Sequence, residues 1–139
     1  MAKSEPRSGA GAPALRVQVI EDLPRVQALL RELIEESGRF EVTAVADSED
    51  EALRQFDALR PDAVVVDLAL RAGSGLGVIH AIRSRIGPAQ PLVIVLTNHA
   101  LPVLEAACRR AGADHFLDKS RDFHKVHGLL EHAARRLSH

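Results

Sequence analysis

Short runs of branched apolar residues alternate with longer segments of helical periodicity from Leu15 onward, and this alternation restricts the fold more than any other feature. Each short run has the length of one strand, and apolar residues in the segments between the runs recur every three or four positions. This pattern is typical of a parallel sheet whose strands are connected by helices that cover both of its faces. We therefore predict a doubly wound α/β fold with a five-stranded parallel sheet and five helices.

Five strand–helix pairs can be assigned along the chain. The predicted strands are residues 16–20, 41–46, 63–66, 92–96 and 115–117. The predicted helices are residues 24 to before Gly38, then 48–59 with a capping box at its start, 75–86, 101–111 and 122–137. The third strand contains only small and branched apolar residues, which predicts a central position buried on both faces.

The length and charge of the chain fit one domain without a strong electrostatic field. Its 139 residues, 46% of them hydrophobic, can fill a single core. With 18 basic and 19 acidic residues the formal charge is -1, which disfavours general attraction to nucleic acid or to an anionic membrane. Residues 1–14, rich in Gly, Ala, Pro and Ser, predict a flexible tail, and residues 15–139 predict a single domain that stands alone.

Cysteine content and hydropathy predict the compartment. Cys108 is the only cysteine, so no disulfide can form within the chain. Neither a signal peptide nor an apolar stretch of roughly 20 residues is recognisable. We therefore predict a cytoplasmic protein without a membrane or nucleic-acid partner.

Polar residues follow the predicted strands at their C-terminal ends. Glu21 and Asp22 follow the first strand, Asp67 the third and Thr97 the fourth, while Lys119 comes shortly after the fifth. Because the carboxyl ends of parallel strands meet at one edge of a sheet, we expect these side chains to lie together. Three close carboxylates take up a proton or bind a cation, and hard oxygen ligands favour Mg²⁺. This set predicts phosphoryl transfer with Asp67 as the nucleophile.

These segments resemble the receiver domains of bacterial two-component response regulators over roughly residues 15–137. The spacings of 45 residues from Asp22 to Asp67, 30 on to Thr97 and 22 on to Lys119 support the resemblance as a set. The motifs that carry it are Glu21-Asp22, VVVDLALRAGSGLGVI around Asp67, VIVLTN ending in Thr97-Asn98, and GADHFLDKS with Phe116 and Lys119.

The resemblance implies a flavodoxin-like receiver fold and a role for each site residue. Asp67 would accept a phosphoryl group from a sensor histidine kinase or a histidine phosphotransfer protein. Lys119 and Thr97 would each bind one phosphoryl oxygen. The Mg²⁺ ligands would be Glu21, Asp22, Asp67 and the backbone carbonyl of Ala69. The protein would not be an enzyme; its only reactions would be Mg²⁺-dependent self-phosphorylation from a phosphodonor and slow autodephosphorylation.

The resemblance also implies a switch. Thr97 and the aromatic residue Phe116 would change position together when Asp67 is phosphorylated. The output surface would be the face formed by helix 4, strand 5 and helix 5, which would bind an unknown partner protein. The same face is a candidate for a homodimer contact.

Three departures from the family pattern keep alternatives open. Arg71 and Ala72 stand where Pro-Gly is frequent, Asn98 replaces a small residue after the threonine, and Ser120 replaces a proline. A degenerate receiver that acts as a constitutive protein-docking module is therefore the alternative function. A small phosphatase or phosphomutase is disfavoured, because Ala69 stands where such enzymes place a second aspartate.

Overall fold

A computed structural model describes residues 14–85, 87 and 90–137. Apart from its last residue, the predicted tail at 1–14 lies outside the described residues, as do the predicted helix end at residue 86 and the last two residues of the chain. None of the helices in the described part has the length and apolar character needed to cross a bilayer.

Five strands and five helices alternate strictly along the described chain. The strands are β1 (Leu15–Ile20), β2 (Phe40–Ala46), β3 (Ala63–Val66), β4 (Leu92–Thr97) and β5 (His115–Asp118). The helices are α1 (Pro24–Glu35), α2 (Glu49–Leu59), α3 (Gly75–Ser84), α4 (Pro102–Ala111) and α5 (Lys125–Leu137). The strands pair in parallel in the order β2-β1-β3-β4-β5, which confirms the predicted doubly wound fold.

The sheet separates two apolar cores. The residues of β3 are all buried and alternate between the two cores, as predicted for a central strand. One core holds α2, α3 and α4 through residues such as Phe56, Ile79 and Cys108. The other holds α1 and α5 through residues such as Leu30 and Leu130. The helices therefore cover both faces and leave the edge at the strand ends for the site.

Helix termini follow the predicted signals in part. The Ser48 hydroxyl accepts a hydrogen bond from the Glu51 N–H at 3.3 Å, which is one half of the predicted capping box. The Glu51 carboxylate instead accepts from the Gln55 amide at 3.4 Å, so the second half is not formed. Gly38 has φ +79° and supplies the turn after α1, as predicted.

Three predicted helix boundaries were wrong by more than one residue. Helix α1, predicted to continue to just before Gly38, ends at Glu35. The prediction placed the start of α5 at Asp122, but residues 119–124 form turns and α5 begins at Lys125. The cause is that the Asp122 carboxylate accepts a hydrogen bond from the Asp118 N–H at 3.2 Å and closes a turn before the helix. Helix α3 ends at Ser84, because Arg85 has an extended backbone with ψ 134°.

Candidate functional site

Strand β1 ends level with both of its neighbours, β2 and β3. Ile20, at the end of β1, pairs with Ala46 of β2 and with Val66 of β3. Glu21 and Asp67, which follow Ile20 and Val66, therefore lie side by side at the carboxyl edge of the sheet. The sequence prediction that these strand-end carboxylates meet is confirmed.

Glu21, Asp22 and Asp67 form an acidic cluster at this edge. One carboxylate oxygen from each residue lies within 4.8 Å of the others. Glu21 is 1% exposed and Asp67 7%, while Asp22 is half-buried. In the part of the chain that the structure describes, no other group of three or more His, Cys, Asp or Glu residues has a geometry that could hold a metal ion.

Lys119 connects two members of this cluster. Its Nζ donates to Glu21 Oε1 at 2.8 Å and to Asp67 Oδ2 at 2.9 Å. Burial of Lys119 opposes its charged form, but the two carboxylates outweigh this effect, so the pKa of Lys119 lies above its ordinary value. Burial raises the pKa of Glu21, and the hydrogen bond from Lys119 offsets only part of that increase. The ammonium group therefore balances part of a charge cluster that is expensive to bury.

Thr97 and Phe116 lie at the neighbouring strand ends. Thr97 is fully buried, and its hydroxyl accepts a hydrogen bond from the His99 N–H at 3.1 Å. Its backbone carbonyl accepts from the Lys119 N–H at 2.8 Å, which ties β4 to the residue that bears the ammonium group. Phe116 is half-buried and packs against the core formed with α2, α3 and α4.

The chain after Asp67 passes closely under the start of α3. The Gly75 N–H donates to the Leu68 carbonyl at 3.0 Å. A Cβ on Gly75 would lie 2.1 Å from the Asp67 carbonyl oxygen, so this position has no space for a side chain. Asp67 Oδ1 accepts only a long hydrogen bond from the Ala69 N–H, at 3.4 Å, and keeps most of its capacity for other ligands.

The loop between β5 and α5 is fixed without the proline that is frequent in the family. Asp118 Oδ1 accepts from the Ser120 N–H at 2.9 Å, from the Ser120 hydroxyl at 2.8 Å and from the Arg121 N–H at 3.0 Å. These hydrogen bonds lower the pKa of Asp118, that from Ser120 most. The Asp118 carboxylate thus takes over the structural task of shaping the loop that follows Lys119.

The donor set fits a hard divalent cation. Three carboxylates converge, and among the described residues one ammonium group, that of Lys119, forms ion pairs with them. Oxygen ligands in this number suit Mg²⁺, which retains waters and takes few protein ligands. Fold and site together define an α/β domain with an acidic, cation-compatible crevice at the carboxyl edge of a parallel sheet.

Comparisons with known proteins agree with this description. The family model of the response regulator receiver domain matches residues 17–131. The protein-glutamate methylesterase/protein-glutamine glutaminase 3 of Myxococcus xanthus is 38% identical over 80 residues, which are 58% of this chain and 22% of that protein. The chemotaxis protein CheY of Listeria monocytogenes is 25% identical over 121 residues, which are 87% of this chain and 99% of CheY.

A solved structure shows the same fold. The receiver domain of a sensor histidine kinase from Pseudomonas aeruginosa, solved with a magnesium ion in its active-site cleft, has a TM-score of 0.72 and 23% identity. The similarity covers 89% of this chain and 97% of that domain. By contrast, the chain spans only 22–30% of the length of the methylesterases that it matches.

The chain belongs to the receiver domain family of two-component response regulators. Domains of this family are in general phosphoacceptors rather than catalytic enzymes, and they interact with histidine kinases or phosphotransfer proteins.

Sequence reasoning missed the contacts made by two loops. Arg71 forms an ion pair with Asp47, and Asp118 orders the loop at Ser120. The second contact had a recognisable sign, because an aspartate two residues before a serine commonly forms an Asx turn. The ion pair between Arg71 and Asp47 had no recognisable sign in the sequence, because its partners are 24 residues apart in different loops.

Proposed function

We propose that this protein is a response regulator that acts in the cytoplasm and carries a phosphoryl group on Asp67. The observation that carries this proposal is the contact of Lys119 Nζ with Asp67 Oδ2, 2.9 Å apart, inside the acidic cluster. A carboxylate held beside an ammonium group and a cation-compatible crevice has the parts that phosphoryl transfer requires.

The transfer would proceed by displacement at phosphorus. An Asp67 oxygen attacks the phosphorus of a phosphohistidine, the new P–O bond forms, and the P–N bond breaks with its electron pair leaving on the imidazole. Lys119 moves its hydrogen bonds from the two carboxylates to a phosphoryl oxygen. Thr97 releases the His99 N–H and donates its hydroxyl to another phosphoryl oxygen.

Glu21, Asp22, Asp67 and the backbone carbonyl of Ala69 are the proposed Mg²⁺ ligands. When bound, Mg²⁺ supplies positive charge that offsets the carboxylates and the oxygens of the transferred group. In its absence the three carboxylates repel an incoming phosphate, and Lys119 alone cannot balance them.

The proposed output follows from the position of Thr97. Its hydroxyl lies on the same face of the sheet as Phe116, because β4 and β5 pair in register with Thr97 opposite Asp118. Movement of Thr97 toward the phosphoryl group vacates space beside Phe116, which can then turn further inward. This change would reshape the α4–β5–α5 face and so control the binding of a partner protein.

The proposal is tested by incubation with acetyl phosphate and Mg²⁺, followed by measurement of the intact mass. We expect the wild type to gain one phosphoryl group, and we expect no gain for Asp67→Asn or when EDTA is present. Asp57→Asn is the matched control, because Asp57 is a surface aspartate on α2 that pairs with Arg85 away from the cluster. Wild-type protein that gains no mass and binds no Mg²⁺ would instead support the constitutive docking module.

A further inference from the structure

The loop between β3 and α3, residues 67–74, is fastened to the loop and helix that follow β2. Arg71 donates to both oxygens of Asp47, from Nη2 to Oδ1 at 2.9 Å and from Nε to Oδ2 at 3.2 Å. This two-point geometry orients both side chains and fixes the distance between the loops. Arg71 is one of the residues at which the chain departs from the family pattern.

Glu49 provides a second connection between the same two segments. Its carboxylate accepts a hydrogen bond from the Ser74 N–H at 3.0 Å, and its own N–H donates to the Ala72 carbonyl at 2.9 Å. The carboxylate lies at the N-terminus of α3, where negative charge is favoured by the helix dipole. We call Asp47, Glu49 and Arg71 the loop clamp.

Two glycines leave room for the loop clamp. A Cβ on Gly73 would lie 2.4 Å from the Glu49 Cβ, and a Cβ on Gly77 would lie 2.6 Å from Glu49 Oε2. Gly73 also has φ +81°, a conformation that other residues rarely adopt. The close approach of Glu49 thus explains why Gly73 and Gly77 lack a side chain.

The ion pair of the loop clamp passes over the end of β1. Strand β1 lies between β2 and β3 in the sheet, and Asp47 and Arg71 belong to the loops after β2 and β3. A contact between those loops therefore spans the point where Glu21 and Asp22 emerge. In agreement, the pKa of Arg71 is raised first by Asp47, with a smaller contribution from Asp22.

We propose that Arg71 is a positioning residue, which acts with Asp47 to hold the loop after Asp67 where the Ala69 carbonyl can serve as a Mg²⁺ ligand. This inference rests on the proposed function. Arg71 would not itself touch the metal ion or the phosphoryl group.

Two effects of Arg71 on Mg²⁺ affinity have opposite signs. Its positive charge repels a cation, so its removal would tighten binding, whereas loss of the loop clamp would misplace one ligand and weaken binding. The positional effect should dominate, because the Arg71 side chain is exposed and water and salt screen its charge over the distance to the metal site. Arg71→Gln should therefore weaken Mg²⁺ binding.

The expected change is about two- to five-fold, the range over which an exposed ion pair shifts an equilibrium. We expect Arg71→Gln and Asp47→Asn each to weaken Mg²⁺ binding, Asp47→Asn more so because it also removes a negative charge. The double variant leaves the net charge unchanged and removes the same contact, so its affinity should lie between those of the single variants. The measurement is calorimetric titration of the metal-free full chain with Mg²⁺.

Arg85→Gln is the matched control. Arg85 makes the same two-point contact with Asp57, at 3.0 Å for both hydrogen bonds, near the other ends of α2 and α3. Its loss should leave Mg²⁺ affinity unchanged. As a readout independent of the metal, amide hydrogen exchange at Ser74 should be faster in metal-free Arg71→Gln than in Arg85→Gln.

The outcomes separate this inference from the proposed function. If the wild type binds Mg²⁺ but Arg71→Gln binds it equally or more tightly, the positioning role is wrong while the proposed function stands. Failure of the wild type to bind Mg²⁺ would contradict both. Weaker binding in Arg71→Gln alone, with Arg85→Gln unchanged and Ser74 exchange accelerated, supports the inference.

Discussion

Lys119 determines the electrostatic state of the site at the residue scale. Its ammonium group pairs with Glu21 and Asp67, both of which are almost fully buried. Buried carboxylates carry a large desolvation cost, which a single shared cation recovers only in part. An additional positive charge would therefore stabilise the site, and this is the physical basis for the proposed Mg²⁺ dependence.

Glu21 predicts a pH dependence of stability in the metal-free protein. Burial raises its folded-state pKa above the ordinary 4.5, so the folded state holds the proton more tightly than the unfolded state. Stability from this group is present below pH 4.5 and falls as pH rises through the raised pKa. Glu21→Gln cannot titrate, so its stability relative to the wild type should increase across that window.

The measurement is chemical denaturation of wild type and Glu21→Gln at a series of pH values in EDTA. A relative stability of the variant that decreases with rising pH would mean that the fold favours the Glu21 carboxylate, contrary to our interpretation.

At this scale the sequence predicted the members of the acidic cluster but not all of their contacts. Glu21, Asp22, Asp67 and Lys119 were predicted to lie together because each follows a strand, and the carboxyl ends of parallel strands meet at one edge of the sheet. The pairing of Lys119 with Glu21 was not predicted, since it depends on the path of the loop after β5.

Gly75 sets the geometry of the site at the scale of secondary-structure elements. It begins α3 directly against the backbone of Asp67, and its N–H binds the Leu68 carbonyl. A helix start in this position packs directly against the end of β3, so a shift of α3 would displace Asp67.

Gly75→Ala should destabilise the fold by about 1–3 kcal/mol, because its Cβ would overlap the Asp67 carbonyl and force the helix to shift. It should also slow phosphoryl uptake. Gly128→Ala is the matched control: a Cβ there meets nothing within 4 Å in α5, and alanine should stabilise the helix by about 0.5–1 kcal/mol. Thermal and urea denaturation check both values, and a neutral Gly75→Ala would refute the close contact.

Element types were predictable from the sequence, whereas some ends were not. Apolar periodicity identified every helix and strand, since each element must bury one face or both. The start of α5 was predicted three residues too early because the Asp118 and Asp122 carboxylates form a turn first. Such local side-chain contacts compete with helix formation, and the periodicity of apolar residues does not predict them.

At the scale of the whole molecule, the sheet connects the acidic cluster with the surface proposed for output. The site lies at the carboxyl edge of β1 and β3, and Thr97 and Phe116 lie on the neighbouring strands toward α4. The alternation of strands and helices predicted this architecture, because right-handed crossover connections allow few other arrangements. The partner on the output face is not encoded in any recognisable pattern.

The most direct test of the account is the chemical identification of the phosphorylated residue. Reduction of an aspartyl phosphate with borohydride converts the aspartate to homoserine, which peptide mass spectrometry can locate. After incubation with acetyl phosphate and Mg²⁺, we expect homoserine at position 67 and none in the EDTA control. Homoserine at another aspartate, or at none while Mg²⁺ is bound, would contradict the assignment of Asp67 as the phosphoacceptor.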